Sequence, residues 1–145
     1  EQKFNHVLEL SGRQIKLTYR MDRIDRLLDG SVLVMDYKTG GQELMPKSFD
    51  ELLDGNLSRE IIRDQLLSFQ MPLYLYYLQG VYPNTLVNAA FYQLRTNKLE
   101  KFFKMSNEEQ VNRVVKGTLR SLDFIISELL NPEIPFTDSP VEKDD

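Results

Sequence analysis

The sequence predicts a mixed α/β fold in which flanking helices pack against a central mixed β-sheet. Two observations support this prediction. Short segments of alternating or β-branched apolar residues occur in two groups, and each group is followed by a long segment with apolar residues at three- and four-residue spacing. The resulting order of three strands, a helix, two strands and a helix is typical of a sheet covered by helices. With 145 residues, of which 41% are hydrophobic, the chain is expected to form one domain with its own core.

The first third of the chain is predicted to form three consecutive antiparallel strands. Residues 5–10 and 14–28 flank the turn-like pair Ser11-Gly12, which predicts a β-hairpin. A three-residue turn, 29–31, leads into the short apolar segment 32–38 (VLVMDYK). The third strand is expected to end there, because a Thr-Gly-Gly sequence with high backbone freedom follows.

The middle of the chain is predicted to hold one long helix after an irregular segment. Residues 41–56 mix proline, glycine and polar residues, so we expect a loop with a short helix over 49–53 at most. Apolar residues then recur with helical spacing over 58–82, and Ser58 is a suitable N-cap. Pro72 within this segment predicts either a kink or a break of the helix.

The last part of the chain is predicted to add a second hairpin and a final helix. Residues 85–95 and 99–103 have strand character and are joined by Thr96-Asn97-Lys98. Residues 106–109 (SNEE) match a capping box, and the apolar stripe that follows continues to Leu129. An Asn-Pro pair shortly afterwards is expected to end the helix.

Composition excludes several classes of protein. No apolar run approaches the roughly 20 residues needed to cross a membrane, and neither a secretory leader nor a cysteine is present, so we expect a cytoplasmic protein without disulfides. The net charge of −4 argues against binding nucleic acid mainly by bulk electrostatic attraction. We expect residues 1–135 to form the domain core and residues 136–145 an acidic tail or linker, within a longer protein.

Charged residues in the predicted strands are the candidate site. Asp36 and Lys38 lie two positions apart in the third strand and therefore project from one face, whereas Tyr37 projects from the other. The three-residue turn 29–31 would pair residue 28 with residue 32 and place Asp22 opposite Lys38. The sequence thus predicts that Asp22, Asp36 and Lys38 converge.

Two carboxylates beside a lysine suit metal-assisted phosphodiester hydrolysis. Mg²⁺ prefers oxygen ligands, polarises phosphoryl oxygens and lowers the pKa of bound water. A lysine beside it can orient that water or stabilise developing charge. Taken alone, the Asp36-x-Lys38 pattern is more often a surface ion pair on a strand, so its interpretation depends on the surrounding motifs.

Three segments resemble, in order and spacing, the motifs of RecB/AddB-type nucleases of the PD-(D/E)XK superfamily: residues 21–25 (MDRID), 34–40 (VMDYKTG) and 70–74 (QMPLY). The resemblance covers residues 1–77 well, and the remainder only in the order of its elements. It implies a restriction-endonuclease-like core and a Mg²⁺- or Mn²⁺-dependent DNA nuclease, with an exonuclease favoured. It also implies DNA and the other domains or subunits of a helicase–nuclease assembly in DNA repair or recombination as partners.

The resemblance assigns roles to individual residues. Asp22 and Asp36 are expected to bind the metal, with the carbonyl of Tyr37 as an extra ligand, and Lys38 is the expected catalytic lysine. Gln70 and Tyr74, one helical turn apart, are expected to face the site and position DNA or Lys38. Glu1 matches the family pattern by position alone and would contribute to the metal site.

The sequence departs from the family pattern in three ways. Tyr19 stands where the family commonly has a glycine, and the family's upstream helix with its histidine has no equivalent, since His6 lies in a strand. Many relatives carry an iron–sulfur cluster, which this segment cannot hold because it has no cysteine. Two other functions remain open: a non-catalytic nuclease-like module for DNA binding or subunit interaction, and a metal-binding regulatory domain that does not bind nucleic acid.

Several polar and aromatic residues have simpler interpretations. Arg23 and Asp25 are expected to form an ion pair on the face opposite the site. The tyrosines that follow Tyr74 are expected to pack in the core rather than to stack on bases. The lysines of the second hairpin, Lys98 and Lys101, are expected to belong to a solvated face, together with Lys104.

Overall fold

The computed structural model describes residues 2–40 and 45–137, and these residues form the mixed α/β architecture predicted from the sequence. In chain order the elements are β1 (Gln2–Leu10), β2 (Arg13–Met21), β3 (Arg23–Arg26), β4 (Val32–Lys38), α1 (Asp50–Asp54), α2 (Arg59–Leu66), α3 (Gln70–Val81), β5 (Val87–Gln93), β6 (Lys98–Lys101) and α4 (Glu108–Leu129). Strands β1 and β2 form a two-stranded sheet, and β3-β4-β5-β6 form a four-stranded one. Because β4 and β5 are parallel while the other pairs are antiparallel, the larger sheet is mixed, as expected.

The main core lies between one face of the larger sheet, the hairpin β1–β2 and helices α3 and α4. Its buried residues are Tyr19, Met21, Val32, Val34, Met71, Tyr74, Leu75, Leu78, Val87, Ala89, Phe91, Val111, Val114 and Val115. The even-numbered positions of β4 face this core, and Leu33 and Met35 form a small cluster with Ala90 on the opposite face. The face that carries Asp36 and Lys38 is therefore the face covered by α3.

The predicted second strand, 14–28, is wrong in its extent, because the chain bends at Asp22. Residues before the bend form β2 and pair with β1, whereas residues after it form β3 and pair with β4. A carboxylate oxygen of Asp22 accepts a hydrogen bond from the backbone N–H of Tyr37 at 2.8 Å, so a side chain replaces a backbone partner at this point of the ladder.

The turn before β4 is longer than predicted. Arg26 pairs with Val32, so the connection spans residues 27–31 rather than 29–31. This register places residue 22 level with Asp36 instead of opposite Lys38, which corrects the predicted pairing. The loop length is odd in both cases, so the shift of two residues does not change the side of the sheet that the parity argument predicts for Asp22.

The predicted single helix over 58–82 is two helices, α2 and α3. Leu67 adopts a positive φ of 59°, which ends α2, and α3 restarts after residue 69. The break precedes Pro72, which lies in the first turn of α3, where the missing N–H has no intrahelical partner to lose. Ser58 caps α2 as predicted, accepting a hydrogen bond from Ile61 N–H at 3.2 Å.

The C-terminal elements follow the predicted order with shifted boundaries. The β5–β6 turn covers residues 94–97, with Asn97 in the left-handed region that asparagine tolerates. Asn107, rather than Ser106, caps α4, because the Ser106 hydroxyl donates to the Val87 carbonyl at 2.6 Å. Within the described ranges, no helix is long and apolar enough to span a bilayer. The expected tail, 136–145, lies largely outside the described residues, which end at 137.

Candidate active site

The end of β4 carries a buried carboxylate with a lysine beside it. Asp36 is 7% exposed, and one of its oxygens lies 2.6 Å from Lys38 Nζ. Lys38 Nζ also lies 5.1 Å from the centre of the Phe91 ring on β5. A charge this deeply buried requires compensation, which the lysine supplies in part.

Gln70, the first residue of α3, binds both charged groups. Its Nε2 donates to the second oxygen of Asp36 at 2.8 Å, and its Oε1 accepts from Lys38 Nζ at 3.4 Å. The break at residues 67–69 allows this contact, because it makes Gln70 the start of a new helix that points at the strand end. Ser68 fixes that start by accepting a hydrogen bond from Gln70 N–H at 3.2 Å.

Tyr74 connects Gln70 to the strand before the bend. Its hydroxyl accepts a hydrogen bond from Gln70 Nε2 at 3.1 Å and donates to the carbonyl of Arg20 on β2. At 6% exposure its ring belongs to the core and packs edge-on against Tyr19. Burial, with smaller contributions from neighbouring tyrosines, raises the pKa of Tyr19 to about 12.

Asp22 approaches β4 from the side opposite β5. Its hydrogen bond with Tyr37 N–H fixes one carboxylate oxygen at 2.8 Å from that nitrogen. In an extended strand the N–H and C=O of one residue point to the same side, so the Tyr37 carbonyl also faces the Asp22 side. The carbonyls on the other side of β4 are used by β5, as in the 2.9 Å bond from Leu94 N–H to Lys38 O.

This donor set fits a hard divalent cation. Asp22 and Asp36 supply carboxylate oxygens and Tyr37 a carbonyl oxygen, which are the ligands that Mg²⁺ and Mn²⁺ prefer. A lysine and a side-chain amide complete the surroundings of Asp36. Among residues 2–40 and 45–137, no three acidic, histidine or cysteine side chains cluster as a metal-binding group. Glu1, which was expected to contribute, lies outside the described residues.

Arg23, Asp25 and His6, for which the sequence favours structural roles, make structural contacts. Arg23 and Asp25 form an ion pair at 2.9 Å on the opposite face, and hydrogen bonds to Asp25 and Tyr37 raise the pKa of Arg23. His6 contacts the hydroxyl of Tyr76 at 3.2 Å, within the aromatic packing between the β1–β2 hairpin and α3.

The sequence did not indicate that Arg95 lies beside the candidate site. Arg95, expected to end a strand, lies in the β5–β6 turn, and its guanidinium carbon lies 3.8 Å from where a Cβ on Gly40 would be. It reaches this position because β4 and β5 are parallel and end at the same edge. No sequence signal pairs the two positions, since 55 residues separate them.

A separate groove of about 580 Å³ between α2 and the end of α4 contains none of the predicted site residues.

Comparison with protein families gives one finding. Residues 1–141 match the family model described as the PD-(D/E)XK nuclease superfamily. Comparisons with curated proteins and with solved structures give no match. The matched range includes every element from β1 to α4.

Proposed function

Because the chain belongs to the PD-(D/E)XK nuclease superfamily, we propose that it is a Mg²⁺- or Mn²⁺-dependent deoxyribonuclease domain that hydrolyses DNA phosphodiester bonds. The observation that carries this proposal is the arrangement around Asp36. One buried carboxylate is bound by both Lys38 and Gln70, and Asp22 is fixed on the adjacent backbone. An ordinary structural ion pair has no need of a second carboxylate beside it.

The proposed metal ligands are Asp22, Asp36 and the carbonyl of Tyr37, with Glu1 as a further candidate. A divalent cation held by these oxygens would lower the pKa of a bound water and polarise a phosphoryl oxygen. Two negative charges and a carbonyl dipole meet the charge requirement of such an ion.

Lys38 is the proposed catalytic lysine. Its side chain is about one-third exposed, and its Nζ lies over the ring of Phe91 at 5.1 Å from the ring centre, so the ammonium group can contact a substrate phosphate. In this position it stabilises negative charge that develops on the phosphate in the transition state.

Gln70 and Tyr74 are proposed to position the reacting groups. Gln70 fixes the orientation of the Asp36 carboxylate and of the Lys38 ammonium group with one side chain. Tyr74 holds Gln70 and the backbone two residues before Asp22, so it acts on both carboxylates without contacting the substrate.

The wider setting of the domain follows from the motif pattern. The segments at 21–25, 34–40 and 70–74 support a RecB/AddB-type member that acts as an exonuclease within a helicase–nuclease or another cytoplasmic DNA repair or recombination protein. DNA and the other parts of that assembly are the proposed partners. Residues 1–135 are the proposed nuclease core.

The test is cleavage of labelled single- and double-stranded DNA with Mg²⁺ or Mn²⁺ by the wild type, Asp36→Asn and Lys38→Met. Removal of a group that stabilises transition-state charge is expected to lower kcat by at least about a hundredfold. Asp25→Asn and Lys101→Met are matched controls, because they make the same chemical changes on the opposite face of the sheet. If chelated protein cleaves equally well, or if all four variants retain activity, the proposal is wrong. DNA binding without cleavage would support the non-catalytic module instead.

A further inference from the structure

The edge of the larger sheet carries a second cation beside the proposed site. Arg95 is exposed, and in the described part of the chain its guanidinium forms no ion pair or hydrogen bond. Its guanidinium carbon lies 3.8 Å from the point where a Cβ on Gly40 would be, and Gly40 is two residues beyond Lys38. A guanidinium held at the surface without an anionic partner is suited to bind a phosphate.

The positions of Asp22, Lys38 and Arg95 follow the order of the strands. Asp22 precedes β3, Lys38 ends β4 and Arg95 follows β5, and these three strands are consecutive neighbours in the sheet. Adjacent strands lie about 4.8 Å apart, so the row spans roughly 10 Å across the sheet edge. A nucleic acid strand that crosses this edge from Asp22 towards β5, with its reacting phosphate at Asp36 and Lys38, would place its next phosphate beside Arg95.

Charge gives a reason for a second cation at this place. The chain has a net charge of −4, so it repels a polyanion overall. Lys38 is already paired with Asp36 at 2.6 Å, so its charge is partly compensated. Another local positive charge would therefore favour binding of the phosphate beside the reacting one.

We propose that Arg95 is a substrate-binding residue that holds the phosphate next to the scissile one, on the β5 side of the site. This inference rests on the proposed nuclease function and adds a contact outside the metal-binding motif.

The first experiment measures how binding of a short single-stranded oligodeoxynucleotide depends on salt, with Ca²⁺ as the divalent ion. Each phosphate contact contributes about 0.7 to the slope of log K against log salt for single strands. We expect Arg95→Ala to lower the slope by about 0.7 and to raise KM about tenfold in cleavage assays with Mg²⁺.

Arg95→Lys should recover part of both effects, since it restores the charge but not the guanidinium fork. Lys101→Ala is the control for charge loss, because it lies on the same hairpin but on the opposite face.

The second experiment locates the contact by replacing single phosphates with neutral methylphosphonates. One neutral linkage beside the cleavage position should weaken binding to the wild type and have no further effect on binding to Arg95→Ala. An equal effect on both proteins, or an unchanged slope and KM in Arg95→Ala, would overturn the inference while leaving the nuclease function intact. An equal loss in Lys101→Ala would also overturn it, since net charge alone would then explain the result. A wild-type protein that neither binds nor cleaves the oligonucleotide refutes the proposed function and this inference together.

Discussion

The substitution Tyr74→Phe tests the connection between the helix and the two strands that carry the carboxylates. It removes one hydroxyl that accepts a hydrogen bond from Gln70 Nε2 and donates one to the Arg20 carbonyl, in a side chain that is 6% exposed. Each lost neutral hydrogen bond costs about 0.5–1.5 kcal/mol. We therefore expect the loss of these two hydrogen bonds to lower the free energy of unfolding by about 1–3 kcal/mol.

The assay is urea-induced unfolding of the wild type and the variant, with the free energy extrapolated to water. Tyr92→Phe is the matched control, because its hydroxyl makes only a 3.3 Å hydrogen bond to Asn97 in the exposed β5–β6 turn. We expect this control to change the free energy by less than about 0.5 kcal/mol.

A second measurement separates positioning from stability. At a temperature where both proteins are folded, Tyr74→Phe should lower kcat and weaken metal binding about tenfold, since outer contacts of metal ligands typically contribute this much. Equal losses of stability in Tyr74→Phe and Tyr92→Phe would refute the reasoning. So would a destabilised Tyr74→Phe with unchanged kcat and metal affinity.

Two further predictions concern packing and buried polar groups. Gly117→Ala should destabilise the fold by about 1–3 kcal/mol, because the new Cβ would lie 3.0 Å from a ring carbon of Phe49 and 3.4 Å from Leu52 Cβ. Gly80→Ala should stabilise the fold by about 0.5–1 kcal/mol, because nothing lies within 4 Å of the new Cβ and alanine favours the helix more than glycine does. Urea unfolding measures both changes, and reversed signs would contradict this reasoning. Tyr19→Phe should stabilise the fold by about 1 kcal/mol at neutral pH, since the buried hydroxyl has no hydrogen-bond partner among the described residues. Because the folded state raises the pKa of Tyr19 from 10.0 to about 12, wild-type stability should fall as pH rises from 10 towards 12, whereas the variant should lack this component of the loss.

The sequence predicted the proximity of Asp36 and Lys38 better than the exact register. Alternation along β4 placed these two side chains on one face, and they form an ion pair there. The pairing partner of Asp22 could not be predicted, because the loop is five residues long and a glycine in the left-handed region lies inside it. A shift of two residues changes the partner without changing the face.

The break between α2 and α3 could not be predicted from apolar periodicity. The apolar positions continue with helical spacing through Leu67, and only the backbone shows that this residue has a φ of 59°. Such a conformation costs about 1 kcal/mol or more for a non-glycine residue, so the surrounding structure must compensate. The contact made by Gln70 is the visible consequence, because a continuous helix would direct this residue along a different path.

The arrangement around Asp36 determines which variants can be interpreted. This carboxylate is buried, so its charge requires partners whether or not a cation is bound. Lys38 and Gln70 are those partners in the described structure, and each of them is also a proposed functional group. Lys38→Met therefore removes the compensation of a buried charge as well as the proposed catalytic group, and the stability of this variant should fall most without metal. The double variant Asp36→Asn/Lys38→Met removes both charges and should be more stable than Lys38→Met alone. Inactivity of the double variant at full stability would attribute the loss of activity to chemistry rather than to unfolding.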